Sequence, residues 1–434
     1  MTDARAVDFE TPLPEPGGHG LDGLPRLIPA PAATSLADHA ARLGPCPRGR
    51  AGLIGEVEQS GLRGRGGARF PTAAKLRVVA AARRPILVAN ATEGEPASAK
   101  DKVLLAEAPH LVLDGAVVAA EAVGASEAII CVERTARAAV RALESAIVER
   151  LARGIDGVQV QLAQTPDRYV VGEESALVHW LNGGEAKPTV VPPRVFEKGV
   201  AGRPTLVQNA ETLANLALIA RFGADWFRRV GTAADPGSTL LTVSGGVAKP
   251  GVYEVALGTS LGNVLRAAGA TPADVAAVLV GGYFGSWIPA HAIGPLTLTD
   301  DSLRTVDARV GSGVVAVLPT TSCGLVESAR VARWLSDQTA GQCGPCVNGL
   351  AAIAGAMERL VGGDVDGVAE RQLSRWLQLV KGRGACKHPD GAAHFVESSL
   401  RVFAAEIVQH RHTGPCAASR APAVLPVPPP GGWR

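Results

Sequence analysis

The sequence predicts an α/β chain whose largest unit is built on a parallel sheet, followed by a small α+β unit and a helical bundle. Three observations carry this. Strand and helix patterns alternate over residues 27–230, a hairpin pattern opens a second block near residue 237, and helical spacing without a convincing strand fills residues 325–412. Strand, crossover helix and strand imply parallel pairing, and ligands then gather beyond the carboxyl ends of the strands.

In chain order, ILVAN (86–90) is a short apolar strand ending in polar residues, and a helical stretch follows from Asp101. AIICV (128–132) is a second buried strand, and a long helix over 134–153 carries Val140, Leu143, Ile147 and Leu151 on one stripe. VQVQL (158–162) alternates as a strand does. In the second block, TLLTV (239–243) and GVYEV (251–255) flank a Gly-Gly turn as a hairpin, with a short helix over 260–268 and a strand over 275–280. The third block holds four helical patterns. The expected organisation is a flexible leader (1–26), an α/β unit (27–236), the α+β unit (237–319), the bundle (320–412) and a flexible Pro-rich tail (413–434), the two ends being rich in Pro, Gly and Ala.

At 434 residues the chain exceeds one small core, and 47% hydrophobic with 19% charged residues fits globular units. A net charge of +2 gives no electrostatic case for nucleic acid or an anionic membrane. The most apolar region, 111–132, is interrupted by Asp114, Glu121 and Glu127, so no direct membrane span is expected. The amino terminus lacks the basic and apolar segments of a signal peptide, which points to a cytoplasmic chain, free or peripheral to a membrane complex. Seven cysteines, an odd number, favour metal or cluster ligation over a disulfide framework.

Five segments carry candidate chemistry. GLRGRGGARFPT (61–72) has four glycines in seven residues, followed by Lys75; such a loop brings backbone N–H groups close to a phosphate or a flat ring, and Lys75 can neutralise phosphate charge. It also reads as an ordinary surface turn. NATEGEP (90–96) ends a strand, and Glu93 or Glu95 there can orient a nicotinamide or simply cap a helix. VGEESAL (171–177) places Gly172 before Glu173 and Glu174 at a helix start. RPTLVQNAET (203–212) offers Gln208, Asn209 and Thr212. GQCGPC (341–346) pairs with the distant Cys386; with His388 these cysteines also make a zinc-type Cys3His set. Cys131, in a buried strand, is core.

In this order and spacing the segments resemble the flavoprotein subunit of respiratory complex I and related diaphorase subunits of hydrogenases and formate dehydrogenases, over about residues 53–396. The resemblance implies a Rossmann-like FMN domain, a β-grasp (soluble-ligand-binding) domain at SGGVAKPGVYEVALGTSL, and a helical iron–sulfur domain. It implies FMN held by Gly64, Arg65, Gly66, Gly67, Phe70, Lys75, Asn90, Thr92, Glu93, Gly172, Glu173, Gln208, Asn209 and Thr212, with NADH or NADPH stacked near Phe70, Glu95 and Glu174. Glu95 and Glu174 are the residues expected at the reacting nicotinamide. Electrons then pass through an iron–sulfur cluster on Cys343, Cys346 and Cys386 to a ferredoxin-like or thioredoxin-like [2Fe–2S] partner.

The chain departs from the resemblance at named positions. Ala340 stands where the family has the first cluster cysteine, leaving [4Fe–4S] with a non-cysteine ligand (His388, Asp337, water or a distant cysteine) or [3Fe–4S] as alternatives. Arg69 replaces a glycine, Val78 and Arg194 replace aromatic residues that sandwich adenine, Val191 replaces a lysine, and Thr92 replaces an aspartate. Two added arginines suit a 2′-phosphate, so NADPH is one expectation. A ferredoxin-linked flavoprotein without a dinucleotide, and a non-catalytic assembly scaffold, are the others.

Overall fold

The computed structural model describes residues 23–48 and 52–434. Four strands, β1 (Ile86–Ala91), β2 (Glu127–Glu133), β3 (Gln159–Thr165) and β4 (Thr205–Asn209), form an all-parallel sheet in the order β3-β2-β1-β4. The near-continuous apolar run of β1 reflects burial on both faces. Leu87, Ala89 and Ala91 face one core with helices Pro109–Val123 and Ala210–Arg228, while Ile86 and Val88 join Cys131, Leu177 and Val207 in another. Cys131 is fully buried.

The helical stretch expected from Asp101 is two helices, Lys100–Glu107 and Pro109–Val123, meeting at 97°. Pro109 has no N–H to continue the first helix but suits the first turn of the second. Among the described residues no single helix is long and apolar enough to cross a membrane.

The second sheet contains β5 (Ser238–Gly245), β6 (Gly251–Ala256), β7 (Val275–Val280), β8 (Ser286–Pro289) and β9 (Val314–Pro319), ordered β6-β5-β9-β7-β8. The expected hairpin pairs Thr239 with Val255 and Val243 with Gly251. The central strand β9 runs parallel to β5 and antiparallel to β7. Helices Gly324–Asp337, Ala351–Val361, Val368–Val380, His388–Val402 and Ala404–Thr413 complete the chain.

The tail, and the last residues of the leader, differ from expectation. Residues 1–22 of the leader lie outside the described residues, but Arg26 is buried, its guanidinium over the Trp226 ring at 3.9 Å and its amide donating to Glu254 at 2.8 Å. The tail is not a loose end either. Leu425 is buried, its N–H donating to Glu327 at 3.0 Å; the Trp334 indole donates to the Pro428 carbonyl at 2.6 Å; and the Ala186 amide donates to the Trp433 carbonyl at 3.0 Å. Prolines remove N–H groups that would otherwise need partners, so an irregular strap can pack with few orphan donors.

Gly115 sits where helix Pro109–Val123 meets helix Ala210–Arg228, and a Cβ there would be driven into the Leu213 carbonyl. Helix propensity favours Ala by up to about 1 kcal/mol, but backbone overlap costs more. Gly115→Ala should therefore destabilise the α/β unit by about 1–3 kcal/mol, read as a lower thermal midpoint; an unchanged or raised midpoint would refute this packing.

Candidate functional site

Parallel pairing places Asn90 directly beside Asn209 at the carboxyl edge of the sheet. Each side chain is held at both its amide oxygen and its amide nitrogen. Asn90 donates to the Gly172 carbonyl at 2.8 Å and accepts the Thr92 hydroxyl at 2.6 Å. Asn209 caps helix Ala210–Arg228, accepting the N–H groups of Glu211 and Thr212, and donates to Asp101 at 2.7 Å.

The glycine loop lies over this edge. A bridge between Arg63 and Pro71 closes it, and the Gly64 amide donates to the Phe70 carbonyl at 2.9 Å. The Arg65 amide donates to the Thr212 hydroxyl at 2.8 Å, while its buried guanidinium reaches the Pro236 carbonyl at 3.3 Å. Burial pulls that guanidinium down to about 10, opposed by Glu211. Gly66 faces Asn209 so closely that a Cβ would come 3.1 Å from the Asn209 Cβ, and Gly67 adopts φ +107. The loop therefore lies on the sheet edge only without side chains at these positions.

A buried charge network supports the loop from below. The Lys100 ammonium lies 2.9 Å from both Asp101 and Glu211, and Glu211 also accepts the Thr239 hydroxyl at 2.9 Å and the Leu240 amide at 3.0 Å. Burial works against the Lys100 charge, but Asp101, Glu211 and Glu93 outweigh it and raise its pKa. Glu93 accepts the Asp101 and Lys102 amides at 3.2 and 3.1 Å, so its carboxylate caps helix Lys100–Glu107. Burial, then Asp101, raises its pKa. Glu173 likewise caps helix Glu174–Leu181 through the amides of Ser175 and Ala176.

Glu95 is buried beneath Gly282 and accepts the Tyr283 amide at 2.7 Å and the Tyr169 hydroxyl at 3.3 Å. Burial pushes its pKa up to about 7 against those donors. Glu174 instead lies half-buried at the mouth, paired with Lys75 at 2.8 Å; Lys75 also donates to the Val207 carbonyl. Phe70 (54% exposed), Val78 (51% exposed), Val191 and Arg194 lie on the open surface.

Arg69 corrects an expectation. Its side chain is buried in ion pairs with Asp235 at 2.5 Å and Asp300 at 2.8 Å, so it joins the loop to the second sheet's unit and is not free to bind a 2′-phosphate.

The three cysteines gather in the helical part. The Cys343 carbonyl accepts the Cys346 and Val347 amides at 3.1 and 3.0 Å, and the following residues Pro345–Leu350 form a π-helical turn. Burial, then Cys343 and Cys386, raises the Cys346 thiol; burial raises Cys386, with Glu173 and Cys343 adding to it and the His388 amide opposing. The Tyr169 ring, in the turn before Glu173, lies 5.7 Å from that of His388, two residues past Cys386, so the cysteine site adjoins the Glu173 segment. Ala340 is buried and offers no ligand. His388 is buried, with Nε2 2.8 Å from the Leu335 carbonyl, and burial pulls its pKa down to about 4. Asp337 is exposed. Among the described residues, the ligand atoms of His388 and these cysteines are not drawn within 4.8 Å as a compact single-ion set, so the zinc-type arrangement is not formed there.

Family models match this arrangement in the same chain order: the Nuo51 FMN-binding domain over residues 57–218, the SLBB domain over 240–282, and the NADH-ubiquinone oxidoreductase-F iron-sulfur binding region over 327–410. An F-type NADH-quinone oxidoreductase chain of Rhizobium meliloti (strain 1021) is 33% identical over 372 residues, 82% of this chain and 88% of its own length. The chain belongs to the NADH-quinone oxidoreductase-F family. The corresponding protein of Mycobacterium bovis is 32% identical over 393 residues, covering 84% of this chain and 85% of the relative. The solved NAD+-reducing [NiFe]-hydrogenase in its H2-reduced state matches with a TM-score of 0.76 at 31% identity, over 86% of this chain and 68% of that one. The FMN-binding and iron–sulfur regions of the family thus coincide with the loop-covered sheet edge and the cysteine site.

Sequence reading missed Lys100, Asp101, Glu211, Tyr169 and Tyr283. Their partners lie far along the chain, and only the KD pair after a strand end was visible beforehand.

Removing Arg69 leaves the buried Asp235 and part-buried Asp300 carboxylates without their shared counter-charge. Arg69→Ala should destabilise the protein by about 3–5 kcal/mol without altering the choice between NADH and NADPH; changed selectivity at wild-type stability would contradict the assignment. Glu95 predicts a pH effect of definite sign. Its folded pKa lies above the unfolded value of 4.5, so stability falls as pH rises from about 4.5 to 7 and then levels, by at most about 3 kcal/mol. Melting curves of Glu95→Gln across that range should lose this component; a slope identical to wild type would refute it.

Proposed function

We propose that this chain is an electron-transfer oxidoreductase subunit of a peripheral module. It takes electrons from NADH, or NADPH, through FMN held under the glycine loop and an iron–sulfur centre at Cys343, Cys346 and Cys386, and delivers them to a [2Fe–2S] partner subunit. The observation that carries this is the packing of the Tyr169 ring, in the turn that leads to Gly172 and Glu173, 5.7 Å from that of His388, two residues past Cys386; Gly172 in turn accepts the Asn90 amide of the loop-covered sheet edge.

Bound FMN supplies the exchange between a two-electron nicotinamide donor and one-electron iron–sulfur carriers. The amides of Gly64, Arg65, Gly66 and Gly67 line the loop, with Asn90, Thr92, Asn209 and Thr212 below it. Gln208 Nε2, at the same strand end, is buried without a partner, a donor suited to a bound ligand. Lys75 supplies positive charge at the mouth, and Gly172 leaves the approach past Thr92 open. Glu93 and Glu173 act through the helices they cap. Phe70 offers an exposed face for stacking, and Glu95 and Glu174 position the nicotinamide. Three thiolates fit a [3Fe–4S] cluster, or a [4Fe–4S] cluster whose fourth iron has a non-cysteine ligand, because Ala340 removes one donor.

With Arg69 committed to Asp235 and Asp300, the case for a 2′-phosphate site is reduced to exposed Arg194, which favours NADH. The missing adenine-stacking faces cost about 0.5–1.5 kcal/mol each. Val78→Phe should therefore tighten NADH by roughly 2- to 12-fold in anaerobic titration of the flavin absorbance. Anaerobically purified protein should contain FMN, iron and sulfide, and NADH should bleach the flavin. Colourless protein, or flavin indifferent to both nucleotides, would defeat the proposal.

A further inference from the structure

Cys323 and Cys416 lie outside the family model that spans residues 327–410, and they belong to no motif of the site above. The fold brings them together. Cys323 precedes helix Gly324–Asp337, His410 lies in the last turn of helix Ala404–Thr413, and Cys416 follows the end of that helix. One ligand atom from each lies within 4.8 Å of the others, and among the described residues this is the triad of Cys, His or carboxylate groups drawn so close.

The polar contacts define the donors. Cys323 Sγ is 3.7 Å from His410 Nε2 and 3.1 Å from Glu406 Oε2. Glu406 also accepts the Leu325 amide at 3.0 Å. Glu406 and His410 are four residues apart, on one helix face. His410 is fully buried, and Nδ1 lies 3.0 Å from the Val361 carbonyl. A hydrogen bond from Nδ1 fixes the tautomer that puts the ring lone pair on Nε2, the usual outer support of a metal-bound imidazole. The Cys416 amide points at Nε2 from 3.2 Å, and its thiol is 3.4 Å from the Ser419 hydroxyl. An ion would take the place of that amide contact, and Cys416 sits on a non-helical link able to turn.

We infer that Cys323, His410 and Cys416 form a tetrahedral zinc site distinct from the iron–sulfur centre, its fourth position taken by water or by Glu406, which already touches Cys323. Two thiolates and an imidazole with one light-atom position left match zinc in type and number, and tetrahedral bond lengths put sulfur and nitrogen about 3.6 Å apart. The spacing is too tight for the corners of an iron–sulfur cube. The site fastens the start of the tail, whose later residues reach Trp334 and stack Trp433 on Arg168, next to Tyr169 at Glu95. It is therefore a structural clamp between the bundle and the flavin unit, and does not depend on which nucleotide is the donor.

The test is the zinc content of the full-length protein, purified anaerobically with FMN and iron measured in the same sample. About one zinc ion per chain is expected, with an element-selective X-ray absorption edge reporting two sulfur and two lighter neighbours. Cys416→Ser should lower zinc at least tenfold, retain FMN and iron, and open the tail to trypsin at Arg420. Cys343→Ser should lower iron and leave zinc in place. Because Cys323→Ser alters a buried position and can fail to fold, the half-buried Cys416 carries the decision. Protein with full FMN and iron but no zinc, even after incubation with zinc alone, overturns the inference. A Cys323–Cys416 disulfide found by thiol alkylation of the purified protein, three sulfur neighbours at the zinc edge, or zinc retained in Cys416→Ser would do the same.

Discussion

The buried pairing of Lys100 with Glu211 is the constraint on which the flavin edge depends. Neither group tolerates burial alone, and an isolated ion would cost several kcal/mol. Together with Asp101 they settle, at one stroke, where three backbones must lie. Glu211 reaches Thr239 and Leu240 and so fixes β5 of the second sheet; Asp101 holds the Asn209 amide; and Glu93 caps the helix from which Lys100 projects. The geometry that suits a bound flavin is thus a by-product of satisfying buried charge. The same network explains why the two sheets meet at this edge and not elsewhere along the strands.

A second constraint joins this edge to the cysteine site. Tyr169 donates to Glu95 and has no freedom of position, because Phe284, Trp334 and His388 surround its ring at 4.8, 5.3 and 5.7 Å. Its amide donates to Gln338, two residues before Ala340. Edge-on aromatic contacts favour one orientation, so the loop before Glu173 and the helix end before the cysteines are set against each other. Short-range electron transfer requires a fixed separation, and here rigid packing provides it.

Much of this was legible in the sequence, for physical reasons that differ by element. Strand β1 announced itself through a continuous apolar run closed by Asn90, and the hairpin of β5 and β6 through alternation around Gly-Gly. The glycine loop and the GPC turn were visible because backbone constraints leave short, dense signatures. β8 and β9 were missed: SWIP is too short to show a period, and VVAVLP lies mid-sheet, where burial on both faces erases alternation. The tail misled because Pro-rich composition describes missing donors, not missing contacts; Leu425 and Trp433 are the anchors that composition averages away. Arg69 misled in another way. Beside a ligand loop a new arginine suggests a phosphate, yet Asp235 and Asp300, distant in sequence, claim it.

Where the chain departs from the family pattern also has a physical logic. Asn90, Glu93, Asn209 and Glu211 each hold backbone or buried charge at or beneath the sheet edge, so altering any of them would cost folding free energy whatever the ligand does. Val78 and Arg194 lie on open surface, where an aromatic face would contribute little to the folded chain. Ala340 is buried at the end of a helix and packs as well as a small thiol would. Val78, Val191 and Arg194 thus depart where the fold is indifferent to them, whereas Arg69 departs by taking on a structural role of its own. The loop-covered sheet edge is therefore tied to the architecture itself, while Val78, Arg194 and Ala340 are positions that can change with little cost to the folded chain.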